Sequence, residues 1–223
     1  MKMRARWLCW WVVMALSACG GAGSADDDAP DGGSYPANVV PSSAPPLTCG
    51  ATGAATQAVM ADLNSFWQSR VMACSCRADA YAAGCTGNAF VLGGAGYGYI
   101  YYDANLLNLL DLNTGSSLPA DMVLAHEFGH NIQLALGLPS SAPKYKELQA
   151  DCLAGFYVGS RIRRGLATQA GVLGVFATAC QIGDPTASPW WGHGTCNERV
   201  AALQSGIAGF LNGLLPGAAC PSL

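Results

Sequence analysis

Residues 119–137 read PADMVLAHEFGHNIQLALG, and this stretch decides the fold. A proline near the first turn, Asp121 at the positive end of the helix dipole and apolar residues at helical spacing predict a helix over 119–136. Gly137 and Pro139 then end it, because glycine and proline commonly follow the last turn of a helix. One long helix therefore presents its polar residues at fixed spacing.

His126, Glu127 and His130 lie within that predicted helix. Because residues four apart share a helix face, both imidazoles point to one spot and can bind one metal ion. Glu127 stands beside them, where its carboxylate can act as the general base that takes a proton from water. The chain has only 3 histidines, and two of them fall in this motif. The pattern favours a catalytic metal site over two buried core histidines.

A second helix is predicted over 143–159, and Glu147 and Asp151 lie four residues apart within it. If it crosses the first helix, Glu147 can be the third metal ligand while Asp151 accepts a hydrogen bond from a ligand imidazole. Two imidazoles and one carboxylate with an open position are typical of one catalytic Zn²⁺, the cofactor we expect. Calcium and magnesium favour more oxygen ligands, and Glu127 favours hydrolysis over the oxygen chemistry of iron.

These motifs, in this order, resemble those of a bacterial neutral zinc metallopeptidase family and, more broadly, of the gluzincins. In gluzincins a Glu-x-x-x-Asp helix supplies the third ligand and the hydrogen-bonding partner of a ligand. The resemblance implies a compact zincin-like metallopeptidase domain, α+β and mainly helical, with a small sheet. The segments that carry it are Tyr101-Tyr102-Asp103, His126 to Gln133, Glu147 to Cys152, Ile182-Gly183-Asp184 and His193 to Arg199.

The third histidine lies in the last of these segments. His193 is predicted as a catalytic residue that stabilises the oxyanion developing during hydrolysis, and a capping or surface role beside two glycines is the alternative. Arg199 could serve the oxyanion in the same way. We interpret Arg199 instead as the structural partner of an acid such as Asp184.

Residues 1–18 are predicted to be a lipoprotein signal peptide. Three Lys and Arg residues fall within the first six positions, and the apolar stretch that follows is too short to span a bilayer. Leu16-Ser17-Ala18-Cys19 resembles the bacterial lipobox. Cys19 is therefore the predicted lipidation site, and an ordinary cleaved signal is the alternative.

Residues 19–46 are rich in Gly, Ala, Ser, Asp and Pro, a composition that predicts a flexible linker behind the lipid anchor. The metallopeptidase domain is predicted over 47–223. Gly20 stands where an aspartate would resemble a signal for retention at the inner membrane. We therefore expect an exported protein on the periplasmic side of the envelope, with the outer membrane favoured.

Eight cysteines follow the predicted anchor, and an oxidising compartment predicts that they form four disulfides that stabilise the domain. Free thiols and metal ligands are the alternatives. A zinc cluster would need paired Cys-x-x-Cys spacings, which are absent from the sequence. The eight are Cys49, Cys74, Cys76, Cys85, Cys152, Cys180, Cys196 and Cys220.

The rest of the domain gives weaker patterns. Apolar spacing predicts an amphipathic helix over 56–72, and the Cys- and Gly-rich range 74–96 is interpreted as loops. Alternating aromatic residues predict a strand over 97–102, whose odd-numbered tyrosines share one face and serve packing more readily than substrate binding.

Together these observations predict a zinc-dependent metallopeptidase that hydrolyses peptide bonds of a peptide or protein substrate in the cell envelope. A net charge of -3 gives no basic surface for nucleic acid. Two alternatives stay open. One is a lipoprotein that uses zinc only to stabilise a binding or assembly role, and the other is an endopeptidase or amidase of peptidoglycan cross-links.

Overall fold

The computed structural model describes residues 54–71, 76–82, 87–94, 97–138, 143–186 and 192–221. The predicted signal peptide, the predicted linker and Cys19 lie outside the described residues. The helices and strands are, in chain order, α1 Ala54–Gln68, β1 Arg77–Ala82, β2 Ala89–Gly94, β3 Tyr97–Tyr102, α2 Ala104–Thr114, α3 Leu118–Ala135, α4 Pro143–Arg163, α5 Gln169–Gln181, α6 Cys196–Leu211 and α7 Pro216–Ala219.

Helices dominate the described part of the chain, and three short strands form one sheet. The prediction of a mainly helical α+β domain with a small sheet is confirmed. Among the described residues, no helix combines the length and the apolar character needed to cross a bilayer.

The elements predicted from periodicity lie close to the observed ones. The helix predicted over 56–72 corresponds to α1, and that over 119–136 to α3. The helix predicted over 143–159 is α4, which continues to Arg163. The strand predicted over 97–102 is β3.

The sheet has the order β1-β3-β2, with β1 parallel and β2 antiparallel to β3. The prediction of loops over 74–96 is wrong, because β1 and β2 both lie in that range. Strand β1 reads RADAYA, and alanine is a poor strand former. Strand β1 is instead stabilised by its pairing with β3 and by the complete burial of Ala78 and Ala82 in the core.

Strand β3 presents different residues to its two faces. Ile100 and Tyr102 are buried in the main core. Tyr101 lies on the opposite face with the other odd-numbered tyrosines, and its ring centroid is 5.3 Å from that of Phe90 and 6.1 Å from that of Tyr81. These tyrosines therefore pack on neighbouring rings across the three strands.

Helix α3 is fastened to the sheet by Asn131. Its Nδ2 donates a hydrogen bond of 2.9 Å to the carbonyl oxygen of Arg77 in β1. The contact needs a glycine on β3, because a Cβ on Gly98 would lie only 2.3 Å from the Asn131 side-chain oxygen. The sheet thus fixes the helix that carries both histidines of the motif.

Helices α4 and α6 approach each other so closely that backbone meets backbone. A Cβ on Gly155 would lie 2.1 Å from the carbonyl oxygen of Leu203, and one on Gly206 would lie 1.9 Å from that of Cys152. No side chain fits at either position without moving a helix. Glycine is therefore required on both sides of this contact.

Two disulfides are present among the described residues. Cys152 in α4 is bonded to Cys220, and Cys180 in α5 is bonded to Cys196, the first residue of α6. They account for four of the eight predicted cysteines. Three of the others, Cys49, Cys74 and Cys85, lie outside the described residues.

Candidate metal centre

Three side chains from two helices converge on one point. His126 Nε2 lies 3.1 Å from Glu147 Oε2, and His130 Nε2 lies 3.3 Å from Glu147 Oε1. The two imidazole Nε2 atoms are 3.1 Å apart. Helix α3 supplies both histidines and α4 supplies the glutamate, so these residues could hold a metal ion between the helices.

The convergence depends on how closely α3 and α4 pack. Gly129 lies between the two histidines, and a Cβ there would be 3.1 Å from the Ala150 Cα atom and 3.2 Å from the Ala150 carbonyl oxygen. A larger residue would push α4 away from α3. Glycine at this position thus brings Glu147 within reach of His126 and His130.

The three side chains lie close enough together to share one metal ion. Ligands at about 2.0–2.1 Å around a tetrahedral ion lie about 3.3 Å from one another. The observed contacts run from 3.1 to 3.3 Å, with Glu147 facing His126 through Oε2 and His130 through Oε1. Two imidazoles and one carboxylate are also the donor types found in catalytic zinc sites.

The side chain of Asp151 holds the first imidazole in place. His126 Nδ1 lies 2.9 Å from Asp151 Oδ1, so Nε2 is directed at the common point. Asp151 is completely buried, and its charge is balanced by Arg199, which donates from Nε and Nη2 at 2.9 and 2.8 Å. The structure thus places Asp151 where the sequence predicts the partner of a ligand.

Arg199 is a structural partner of an acid, but the acid is Asp151 and not Asp184. Its guanidinium is 1% exposed and also donates to the carbonyl oxygen of Ile182 at 3.1 Å. Asp184 instead accepts a hydrogen bond from the backbone of Gly194. Arg199 and Asp151 are 48 residues apart in sequence, so spacing along the chain gives no sign of their two hydrogen bonds.

Gln133 holds the second imidazole, and sequence reasoning missed it. His130 Nδ1 lies 2.8 Å from Gln133 Oε1. The Gln133 side chain is 7% exposed and its Nε2 contacts α4 through Lys146 and Gln149. Only its position three residues after His130, one helical turn on, could have pointed to this contact.

The carboxylate of Glu127 is buried beside the ligands. The residue is 7% exposed, and burial raises its pKa above the ordinary value, while His126 and His130 oppose the shift. Within the described part of the chain its carboxylate forms no hydrogen bond or ion pair with another side chain. It is therefore free to accept a proton from a molecule in the site.

Charge in the centre is set by Glu147 and the two imidazoles. Burial alone would raise the pKa of Glu147, but the hydrogen bonds from His126 and His130 outweigh it and lower the pKa. Burial alone would lower the pKa of His126, yet Asp151 and Glu147 raise it to about 10. The metal-free cluster thus attracts positive charge, which a divalent cation also supplies.

His193 lies apart from these contacts. Its side chain is 61% exposed, and its Nδ1 is 3.9 Å from Asp184 Oδ1. The adjacent Gly194 packs against Leu148 in α4 and the side chain of Arg199. The segment thus lies against the helix that carries Glu147, and the catalytic role of His193 stays a prediction.

No protein-family model, curated protein or solved structure matches this chain. The resemblance to the neutral zinc metallopeptidases is carried by the motifs alone and stays a prediction. What the arrangement can do is read from its donor atoms, its buried acid and the contacts that orient them.

Proposed function

We propose that the protein is a zinc-dependent metallopeptidase of zincin-like fold. The observation that carries this proposal is the convergence of His126, His130 and Glu147 next to the buried carboxylate of Glu127. A purely structural zinc site is commonly closed by four protein ligands. Among the described residues only three donors meet here, which would leave a coordination position of a bound ion open for water.

The donor types and Glu127 support zinc as the proposed ion. Two imidazoles and one carboxylate suit zinc, whereas Ca²⁺ and Mg²⁺ favour sites built mainly from oxygen. When bound, zinc supplies the Lewis acidity that makes water nucleophilic near neutral pH. His126, His130 and Glu147 would hold it.

The remaining chemistry belongs to the side chains of the site. Glu127 takes a proton from the attacking water and returns it to the amine that leaves when the peptide C–N bond breaks. Water thus adds one oxygen and hydrogen to the carbonyl carbon and one hydrogen to the nitrogen. His193 is proposed to stabilise the charge that develops on the carbonyl oxygen.

We also propose that the enzyme acts in the cell envelope on a peptide or protein substrate. Support comes from the N-terminal sequence, where the predicted signal and lipobox would anchor the chain through Cys19 on the periplasmic side, with the outer membrane favoured. The disulfides of the domain are in keeping with an oxidising compartment.

The direct test is hydrolysis of casein or a peptide library by zinc-loaded protein. Glu127→Gln keeps the size of the side chain but removes the base, so we expect activity to fall by about 10²- to 10⁴-fold with zinc content unchanged. Glu198→Gln is the matched control, because Glu198 caps α6 and contacts Lys144 rather than the metal ligands. It should retain most of the activity.

The same experiment can reject the proposal. Equal activity of wild type and Glu127→Gln, or none in either protein with zinc bound, would favour a binding or assembly lipoprotein. Absence of stoichiometric zinc, measured before and after chelation, would remove the metal site itself.

A further inference from the structure

A line of side-chain amides runs from His130 into α4. Gln133 Oε1 lies 2.8 Å from His130 Nδ1, and Gln133 Nε2 lies 2.8 Å from both the carbonyl oxygen of Lys146 and the side-chain oxygen of Gln149. Gln149 Nε2 in turn donates to the carbonyl oxygen of Pro221 at 3.2 Å. Each amide thus has one partner on its oxygen side and at least one on its nitrogen side.

The backbone carbonyls of Lys146 and Pro221 determine which end of each glutamine amide donates and which accepts. A carbonyl oxygen only accepts, so the group that faces Lys146 must be the NH₂ of Gln133. The Gln133 oxygen is then left to face His130, and it can only accept as well. The proton of a neutral His130 therefore sits on Nδ1, and the lone pair of Nε2 points at Glu147 and His126.

A backbone carbonyl near the C-terminus orients Gln149 in the same way. The carbonyl of Pro221 selects the NH₂ of Gln149 and leaves the Gln149 oxygen for Gln133. Pro221 follows Cys220, which is bonded to Cys152 on the same helix as Gln149. The disulfide thus keeps the tail where it can orient the amide, although the carbonyl of Lys146 alone suffices to orient Gln133.

We infer that Gln133 is the positioning residue of His130: it fixes the Nδ1–H tautomer and so directs Nε2 to the metal. Asp151, backed by Arg199, holds the other imidazole through a charge, whereas Gln133 holds this one through a neutral amide. The inference rests on the proposed zinc site. It predicts that the contribution of His130 to zinc affinity depends on Gln133, a residue that does not itself bind the metal.

The test compares the zinc affinity of three variants by competition with a chelator. Gln133→Leu removes the acceptor, and we expect affinity to fall by about 10- to 100-fold, the usual cost of losing the partner of a ligand imidazole. Gln133→Glu keeps an acceptor for His130 but sets its second oxygen against the Lys146 carbonyl, so it should restore only part of the loss. Gln149→Leu should cost less than tenfold, since the Lys146 carbonyl still orients Gln133.

A spectroscopic reading separates orientation from folding. In zinc-loaded wild type, the Nδ1 proton of His130 should appear in the proton NMR spectrum as an exchange-protected imidazole signal. It should broaden or vanish in Gln133→Leu and persist in Gln133→Glu. Circular dichroism confirms that each variant is folded.

Three results would overturn the inference. If folded Gln133→Leu keeps wild-type zinc affinity and the protected proton, Gln133 does not position His130, while the proposed function stands. If Gln133→Leu loses zinc affinity but keeps the protected proton on His130 Nδ1, the effect is one of packing. A wild type that binds no zinc would reject both the proposed function and this inference.

Discussion

The first half of α4, residues 143–151, carries Glu147 of the candidate metal site, whereas the second half, residues 152–163, packs against α6 and the rest of the core. Glu147 and Gln149 in the first half are only partly buried. The run from Cys152 to Ser160 in the second half is buried throughout. We call these the ligand half and the packing half.

The two halves are held by different forces. In the ligand half, hydrogen bonds orient the side chains of Glu147, Gln149 and Asp151, and Asp151 is joined to Arg199 through two of them. In the packing half, backbone approach at Gly155 leaves no room for a side chain. The ligand half is therefore sensitive to the loss of a polar partner, and the packing half to the gain of a single carbon atom.

One of the two largest effects should come from Arg199, which touches the ligand half from α6. Arg199→Met leaves the buried carboxylate of Asp151 with His126 as its remaining side-chain partner, so we expect the free energy of unfolding to fall by about 3 kcal/mol. Urea denaturation measures it. Arg199→Met with Asp151→Leu removes both charges and should recover part of the loss, and a single variant of wild-type stability would contradict the prediction.

Gly155→Ala tests the packing half. The added carbon would lie 2.1 Å from the Leu203 carbonyl oxygen, so α4 and α6 must separate. We expect a loss of about 3 kcal/mol in the free energy of unfolding, at the upper end for overpacking. Zinc affinity of the folded protein should change little. A stability loss below about 1 kcal/mol would show that the helices can yield.

Gly129→Ala makes the same change in α3, where that helix packs against the ligand half at Ala150. Its Cβ would lie 3.1 Å from the Ala150 Cα, a contact that a small shift of α4 relieves. Alanine has a higher helix propensity than glycine by about 1 kcal/mol, which offsets the strain. The free energy of unfolding should therefore change by less than about 1 kcal/mol. Zinc affinity should fall about tenfold, because Glu147 moves with Ala150. Equal loss of stability in Gly129→Ala and Gly155→Ala would erase the contrast between the halves.

The smallest effect concerns pH and the start of the ligand half. Lys144 Nζ lies 2.8 Å from Glu198, and this contact lowers the pKa of Glu198 from 4.5 to about 2 with help from Thr195. An acid with a lowered folded-state pKa stabilises the fold above its unfolded pKa and ceases to do so as the pH falls through the folded value. Glu198→Gln should therefore cost about 1 kcal/mol at pH 7 in metal-free protein.

The same difference should shrink between pH 4.5 and pH 2. Free energies of unfolding for wild type and Glu198→Gln, measured across that range, decide the point. A difference that is constant with pH would mean that the acid contributes by its shape and not by its charge.

The sequence predicts the ligand half better than the packing half. Helical spacing alone places Glu147 and Asp151 on one face of α4, and the structure shows both on the side of His126. Nothing local reveals that Gly155 meets a backbone from α6, because that contact joins segments far apart in the chain. Close helix packing is a tertiary property. From sequence alone, a glycine within a helix indicates only low helix propensity.

The strands and the polar partners show the same limit. Strand β3 is rich in tyrosine and predictable, whereas β1 is rich in alanine and becomes a strand only by pairing with β3. The acid that Arg199 contacts and the amide that His130 contacts are set by how helices cross. Residue types and spacing predict the three candidate metal ligands, whereas the groups that orient them are set by how the helices cross.

The bond between Cys180 and Cys196 bears on how the protein should be made. Cys196 begins α6, and Arg199 lies one turn further along the same helix. In a reducing cytosol that bond does not persist, and the start of α6 would lose its covalent link to α5. A host that exports the chain to an oxidising compartment is therefore the suitable source of material with Arg199 firmly seated.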